Sequence, residues 1–452
     1  MSAPPSILWF RRDLRLGDHP ALAEAARHGP VAPLFVLDPR LLAAAGDRRV
    51  AFLFASLRAL DDDLARLGGH LIVRRGDPAT VVPALAGELG AREVVVTEDF
   101  GPYGRERDER VARALGRVGL HAVGTPYAVA PGALRTAGGG AYQVFGAFYR
   151  AWQRHGWGPP VVCDLNGVAW HGAPGEPVPA DLPAAPRLLG FPAGEHAARA
   201  RLERFVADAL DEYQALRDLP GVAGTSGLSP YLKFGAIHPR TVLAELGEAH
   251  DRFGRELAWR EFYAAVLFAD PQSARRAVHP QLAGLAGPGE IAHLEAWKAG
   301  ETGYPIIDAG MRQLASEGFM HNRVRMLVAS FLVKDLHHDW RVGARHFMEH
   351  LVDGDLASNQ HNWQWVAGTG HDAAPYFRIF NPTTQAERFD PDGRYVRRYV
   401  EALAQVPARV VHEPWRALAA TRYPPPIVDH HEERERTVGA YRALRAKASR
   451  RS

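Results

Sequence analysis

The chain has a single cysteine, Cys163, in 452 residues. That excludes an intrachain disulfide framework, a thiolate-held iron–sulfur cluster and a Cys-ligated zinc site. Lysine is almost as scarce: it stands at Lys233, Lys298, Lys334 and Lys447, so arginine carries nearly all the positive charge. No apolar run is long enough to span a bilayer. Met1–Trp9 lacks the charged start and extended apolar region of a signal peptide. A soluble, cytoplasmic protein with no membrane partner is expected. No G-x-G-x-x-G or P-loop pattern occurs in the first third, so a dinucleotide bound in the usual Rossmann manner is not supported. The pairs at His337–His338 and His430–His431 lack H-E-x-x-H spacing and matching cysteines. They read as exposed or capping residues, and no metal is expected.

Hydrophobic content of 46% with 23% charged residues is that of a globular protein, and the length suits two or three domains. The net charge is only +3 although the sequence pI is about 9.0. Arginine is the better planar fork for phosphate, but an arginine-rich genome explains the bias equally well. Charge therefore permits a nucleic-acid partner without demanding one.

The fold class expected is a doubly wound, parallel α/β domain followed by an all-α domain. In residues 1–130, strand signals at Ile7–Phe10, Val31–Leu37, His70–Arg74, Glu93–Thr97 and His121–Val123 alternate with helical ones at Pro20–Arg27, Arg48–Leu67, Pro78–Glu88 and Arg105–Val118. Such sheets bind ligands at the carboxyl ends of their strands. Two segments follow strands there: the charged run Arg11–Arg15, either a solvated loop or a ligand rim, and Asp99–Arg105, a turn with an aromatic. Residues 131–194 are rich in Gly and Pro and read as an interdomain connection, with one helical signal at Tyr142–Trp152. In residues 195–452 amphipathic stretches dominate: Glu195–Tyr213, Pro239–Glu248, Glu256–Phe268, Ile306–Glu317, His321–Leu336 and Ala344–Leu351. The tail from Val428 reads as a charged, solvated helix.

The least ordinary stretch is Asp353–Trp365, DGDLASNQHNWQW, with two carboxylates, amides and paired tryptophans. Asn322, Arg323, Arg325 and Met326 of MHNRVRM lie within about a helical turn, so one helix can present an amide, guanidinium and thioether to one cavity. Carboxylates beside arginine, amide and indole suit a polar aromatic ligand better than a metal. The run Gly224–Pro230 combines small residues and hydroxyls before a helix: either a plain capped start or a place where backbone approaches a phosphate. Glu256 and Trp259 stand three apart on one helical face, with Arg260 and Tyr263 near. That is either a core edge with a solvated acid or a base-stacking platform with a hydrogen-bond partner. His321 borders this cavity and could titrate there.

Taken together, WFRRDLRLGDHPAL, GTSGLSPYLKFGAI, ELAWREFY, TGYPIIDAGMRQL, MHNRVRM, ASFLVKDL, DGDLASNQHNWQW and PYFRIFNP resemble the photolyase/cryptochrome flavoproteins over nearly the whole length. Within them the likeness is to class I cyclobutane pyrimidine dimer DNA photolyases. The resemblance implies an N-terminal antenna domain and a C-terminal helical domain holding a U-shaped FAD. It implies that Tyr213, Thr225, Ser226, Gly227, Leu228 and Ser229 hold the FAD phosphates and ribose. Arg260, Arg325, Asp353 and Asp355 would fix its centre, with Arg325 and Asp353 as an ion pair. Asn359 would lie beside the reactive flavin nitrogen, as donor or acceptor. Glu256, Trp259, Asn322, Arg323, Met326 and Trp365 would form the lesion pocket, with Arg378 on a DNA phosphate. UV-damaged DNA would be the partner of a monomeric enzyme. The implied activity is light-driven dimer repair on an extruded lesion; the alternatives are a blue-light cryptochrome receptor or (6-4) photoproduct repair.

Asn322-Arg323-x-x-Met326 matches dimer-repair members, and the short C-terminal extension argues against a signalling cryptochrome. Trp363 and Trp340 would pass electrons toward the flavin. The third, exposed tryptophan usual in the family falls on Gly287, and NQHN replaces the commoner NNGG before Trp363. Asp38, Asp99 and Lys233 imply an 8-hydroxy-deazaflavin antenna, with methenyltetrahydrofolate, FMN or an empty site left open.

Overall fold

A computed structural model describes residues 3–180, 190–280, 287, 289–372, 378–417 and 423–449. Pro375, Tyr376 and Phe377, which open PYFRIFNP, lie outside the described residues, as do 181–189 of the connection and 281–286 and 288 beside Gly287. The chain forms two compact units: Met1–Asp208 with Ser226–Pro271, and Ala209–Thr225 with Gln272–Ser452. This grouping cuts across the segments read from sequence, because the helix Asp251–Ala269, which carries Glu256, Trp259 and Arg260, belongs with the first unit.

The first unit is built on five parallel strands, β1 (Ser6–Phe10), β2 (Val31–Leu37), β3 (Ile72–Arg75), β4 (Glu93–Val96) and β5 (Gly119–Ala122), in the order β3-β2-β1-β4-β5. Every residue of β1 and β2 is buried, which explains their near-continuous apolar sequence: a sheet covered on both faces has no solvated side to alternate with. Helices Pro20–Arg27, Asp47–Arg66, Pro78–Leu89 and Pro102–Leu115 intervene. Asp77 caps the third through a 3.0 Å bond from Ala79 N, with proline at the first helical position. Proline likewise starts the fourth at Pro102 rather than at Arg105. The connection is partly stitched to the sheet, since Val31 N donates to Ala169 O (2.8 Å) and Glu176 N to Val73 O (2.8 Å).

The charged run after β1 is not a solvated loop. Asp13 is fully buried and Arg15 is 2% exposed. The Arg15 guanidinium donates to Asp18 O (2.7 Å) and Gly235 O (2.9 Å), and Leu14 N to Phe234 O (3.1 Å). These bonds satisfy the buried charge and dock the loop on the helix Ser229–Phe234. Gly235 ends that helix at φ +68°, and a Cβ there would stand 2.0 Å from the Arg12 carbonyl oxygen. Only glycine permits that approach. Glu261, also buried, receives Trp152 Nε1 (2.6 Å) and Val129 N (3.0 Å), tying helix Phe145–His155 to Asp251–Ala269.

In the second unit, helices Ile291–Ala299, Pro305–Glu317, Asn322–Ser330, Trp340–His350 and Leu356–Ala367 enclose a core of Trp297, Ile307, Met311, Leu314, Val328, Phe331, Phe347 and Trp363. The helix expected over His321–Leu336 changes character: after Ser330 the chain widens into a π-helical turn, Phe331–Asp335. Such turns often mark functional segments. Of the two histidine pairs only His431 is exposed. His338 is buried and lies 3.1 Å from Glu290 O, while buried His430 contacts the Asp335 carboxylate. The tail helix His430–Ser449 is therefore anchored rather than simply solvated, and Val438 and Tyr441 are buried as well.

Candidate cofactor and nucleic-acid site

In the second unit, the DGD turn leads into the helix Leu356–Ala367, which Asp355 caps by accepting from Ser358 N (3.1 Å). Asp353, at 3% side-chain exposure, receives Arg325 Nη2 at 2.9 Å, the ion pair expected from sequence. Arg325 is held further by Met320 O (2.7 Å from Nε) and lies over the Phe319 ring. The guanidinium is thus fixed before any ligand arrives. Asn359, buried one turn into the helix, donates from Nδ2 to Ala344 O (3.0 Å) and to Gln360 Oε1 (3.1 Å), and Gln360 Nε2 donates to Ala274 O (2.8 Å). With both amide protons engaged, Asn359 presents its oxygen as an acceptor. Sequence reading noted NQHN only as a departure. The structure gives Gln360 a role in holding Asn359, and seats His361 between Ala357 O (2.7 Å) and Ser273 Oγ (3.0 Å).

Asn322 opens the helix Asn322–Ser330 and is exposed, while Arg323 and Met326 are half-buried. Arg323 pairs with Asp218 at 2.9 Å and covers the Phe389 ring. His321 is the N-cap, its Nδ1 accepting from Arg323 N (3.2 Å). Burial pushes its pKa down to about 4; Asp218 opposes this, but Arg325, Arg323 and Arg217 reinforce it. His321 is therefore neutral at pH 7 and does not titrate near neutrality. Its proton sits on Nε2, a buried donor with no hydrogen-bond partner among the described residues. Tyr213 is buried under the Arg217 guanidinium, Thr225 and Trp365 are half-buried, and Arg378 is exposed.

The first unit holds the rest of the set. The boundary between units falls between Thr225 and Ser226. Ser226 Oγ accepts from Leu228 N (3.3 Å), Gly227 turns at φ +61°, and Ser229 begins a short helix. Arg260 donates to Pro126 O (3.2 Å) and Leu232 O (3.1 Å), with its guanidinium over Tyr127. Trp259 stacks on Phe145, ring centroids 3.7 Å apart and 7° from parallel. One indole face is thus covered by Phe145. Glu256, one turn earlier on that helix, is 29% exposed and 3.9 Å from Arg252 Nη2, too far for a hydrogen bond.

The strand order reverses at β1, so the carboxyl ends of β1 and β4 flank the switch-point crevice. Asp99 there receives Arg107 (3.2 Å). Burial opposes its charge, but Arg107, Arg12 and Arg11 prevail and hold its carboxyl below the usual range. Asp38 caps Pro39–Ala44 and accepts from Tyr103, whose hydroxyl is pushed up to about 12 by burial and by that carboxylate. Asp38 and Asp99 thus both engage the helix Pro102–Leu115. Half-buried Lys233 offers its carbonyl to Arg12 Nε (3.4 Å).

The tryptophans Trp340 and Trp363 are both buried. The Trp363 ring meets Phe347 edge-on at 5.0 Å and Trp297 at 6.3 Å. Arg341 covers Trp340 at 4.9 Å. Trp297 donates to Val328 O (3.0 Å), a core role that sequence did not assign.

These features are those of a two-part flavin protein, and the comparisons bear this out. The family described as DNA photolyase matches residues 6–164, and that described as FAD binding domain of DNA photolyase matches residues 253–443. The deoxyribodipyrimidine photo-lyase of Halobacterium salinarum is 41% identical across 97% of this chain and 99% of its own. Among solved structures, the class III photolyase of Agrobacterium tumefaciens superposes with TM-score 0.91 at 36% identity, covering 99% of this chain and 98% of its own. An archaeal photolyase of Sulfolobus tokodaii, described with two FAD molecules, gives TM-score 0.85 at 31% identity, covering 97% and 100%. The chain belongs to the photolyase/cryptochrome family.

Proposed function

We propose that this chain is a deoxyribodipyrimidine photo-lyase, a carbon–carbon lyase that repairs cyclobutane pyrimidine dimers in DNA with light and FAD. The observation that carries the reading is full-length identity of 41% to a relative of that name. The residues fit the cofactor. Arg325 and Asp353 are locked as a pair, His321 Nε2–H is a buried donor without an acceptor among the described residues, and Asn359 offers its amide oxygen. Guanidinium and hydroxyl can donate to a diphosphate, and carboxylate and amide oxygens can accept from the N–H groups of a heteroaromatic ring.

When bound, reduced FAD supplies the light-excited electron that opens the cyclobutane ring, and it takes that electron back. Tyr213, Thr225, Ser226, Gly227, Leu228 and Ser229 bind its phosphates and ribose. Arg260, Arg325, Asp353 and Asp355 orient its centre. Asn359, its amide nitrogen held by Ala344 and Gln360, accepts a proton-bearing nitrogen at Oδ1. Trp259 would pack on one extruded base, Trp365 and Met326 on the second, and Asn322 and Arg323 would meet the flanking strand. Glu256 hydrogen-bonds the dimer. Arg378, exposed, meets a phosphate. Trp363 and Trp340 relay electrons for reduction. Asp38, Asp99 and Lys233 take an 8-hydroxy-deazaflavin at the switch-point crevice. The second FAD described for the Sulfolobus relative makes a flavin the competing antenna.

The test is to illuminate pre-reduced protein with a dimer-containing oligonucleotide and follow recovery of base absorbance. No recovery overturns the reading. Glu256→Ala should lower the repair yield with flavin content unchanged; loss of flavin instead would remove Glu256 from the lesion pocket.

A further inference from the structure

The stretch HFMEH at the end of helix Trp340–His350 sets two histidines four apart with a glutamate between them. Four apart on a helix is one face, and it is the spacing at which two imidazoles share one metal ion. We propose that His346, Glu349 and His350 form a binding site for a late first-row divalent cation, zinc in the first instance. None of the three is among the residues assigned above to the flavin or the lesion.

Four observations carry this. One ligand atom from each of the three side chains lies within 4.8 Å of the other two. The imidazoles face one another, with ring centroids 4.2 Å apart and 37° between planes. His350 Nδ1 lies 2.9 Å from the His346 carbonyl oxygen, which fixes Nδ1 as the protonated nitrogen and leaves Nε2 with its lone pair outward. A backbone carbonyl on the non-ligating nitrogen is the usual way a ligand histidine is oriented. Finally, the helix ends at His350, and the negative end of its dipole favours a cation.

The surroundings agree. His346 packs on Trp297, ring centroids 5.5 Å apart and the planes tilted by 58°. The neighbouring helix Ile291–Ala299 contributes one charge of each sign, and these are already paired: Lys298 Nζ to Glu295 Oε1 at 2.8 Å. Glu349 is exposed, and it supplies the negative charge. Two imidazoles and one carboxylate make three ligands of a tetrahedral ion, with water as the fourth. That borderline set selects zinc, nickel or copper over magnesium or calcium. The spacing is also that of H-x-x-E-H peptidases; the assignment here is to binding alone.

The experiment is calorimetric titration of Zn2+ into chelator-treated, flavin-loaded protein, with thermal unfolding alongside. One Zn2+ per chain is expected, together with a higher melting temperature in its presence. Glu349→Gln should weaken binding several-fold. His350→Asn, whose amide can keep the bond to the His346 carbonyl, should weaken it by at least about tenfold and abolish the thermal shift. Unchanged flavin content and circular dichroism confirm that the variant is folded. Absence of stoichiometric binding in the parent protein overturns the proposal. So does binding, single or multiple, that is unchanged by His350→Asn.

Discussion

A methyl group on Gly343 would test how Trp363 is held. A Cβ at that position would sit 2.1 Å from Trp363 Cη2, 2.5 Å from its Cζ3 and 2.6 Å from Leu332 Cδ2. Both neighbours are core, Trp363 at 3% exposure and Leu332 at 0%, so neither can swing into solvent. Two effects then oppose each other. Alanine is favoured over glycine in a helix interior by about 1 kcal/mol. Overpacking a closed core costs about 1–3 kcal/mol, and contact below van der Waals distance on two sides puts this case at the upper end. Gly343→Ala should therefore lose about 1–2 kcal/mol, with a fall in melting temperature of about 2–4 °C per kcal/mol for a unit of this size. Gly439 provides the control. It lies inside the helix His430–Ser449, and a Cβ there meets nothing within 4 Å. Gly439→Ala should thus be stabilising by up to about 1 kcal/mol. Thermal melts by far-UV circular dichroism read both. If Gly343→Ala melts at or above the parent temperature, the close seating of Trp363 on the helix Trp340–His350 is refuted. Photoreduction of bound flavin should also slow in Gly343→Ala and not in Gly439→Ala.

His321 is held neutral with a folded pKa of about 4 against 6.5, so the unfolded chain takes up the proton first as pH falls. Stability is therefore full above about pH 6.5 and is lost toward pH 4, on the order of 3 kcal/mol in all. His321→Asn, which keeps an N-cap acceptor, should flatten urea-derived stability against pH by about one proton over that window, and an unchanged slope would sink the assignment. Asp353→Asn leaves Arg325 without its counter-charge. Because Arg325 is 25% exposed and keeps the Met320 carbonyl, the loss should be about 1–3 kcal/mol rather than that of a fully buried pair, with a clear drop in FAD retained after gel filtration. Wild-type flavin retention would contradict the anchoring role. Gln360→Ala removes one of two groups holding the Asn359 amide. The reduction potential of bound flavin should shift with flavin content unchanged, and an identical spectroelectrochemical titration would refute the coupling.

Much of the scaffold could be read in advance where period and caps agree. The helix Pro20–Arg27 and the strand Val31–Leu37 have the bounds that alternating apolar runs and an initial proline indicate. What escaped was what long-range packing decides. Nothing local in FLVKD announces the π turn, which arises where Lys334 reaches Arg378 O (2.7 Å) and Asp335 meets His430. The run Arg11–Arg15 has the composition of a surface loop. It is buried because carbonyls more than two hundred residues away accept its donors. At the site, the Arg325–Asp353 pair was legible because both residues sit in long, distinctive runs. The Gln360 anchor was not, because its partner Ala274 O is a backbone atom with no side-chain signature. The HFMEH spacing is present in the sequence, but only the fold shows that its two imidazoles face one another.

The knot between the last helix and the π turn bears on how this enzyme can be handled. Asp335 is almost wholly inaccessible, and burial drives its carboxyl upward against the pull of His430 and His337. Thr437 Oγ1 adds a bond to Lys334 O at 2.6 Å. A stop codon placed ahead of His430 would strand that acid in a dry interior without its imidazole, and the widened turn behind it would lose its brace. Affinity handles and reporter fusions are best appended to this terminus, never exchanged for it.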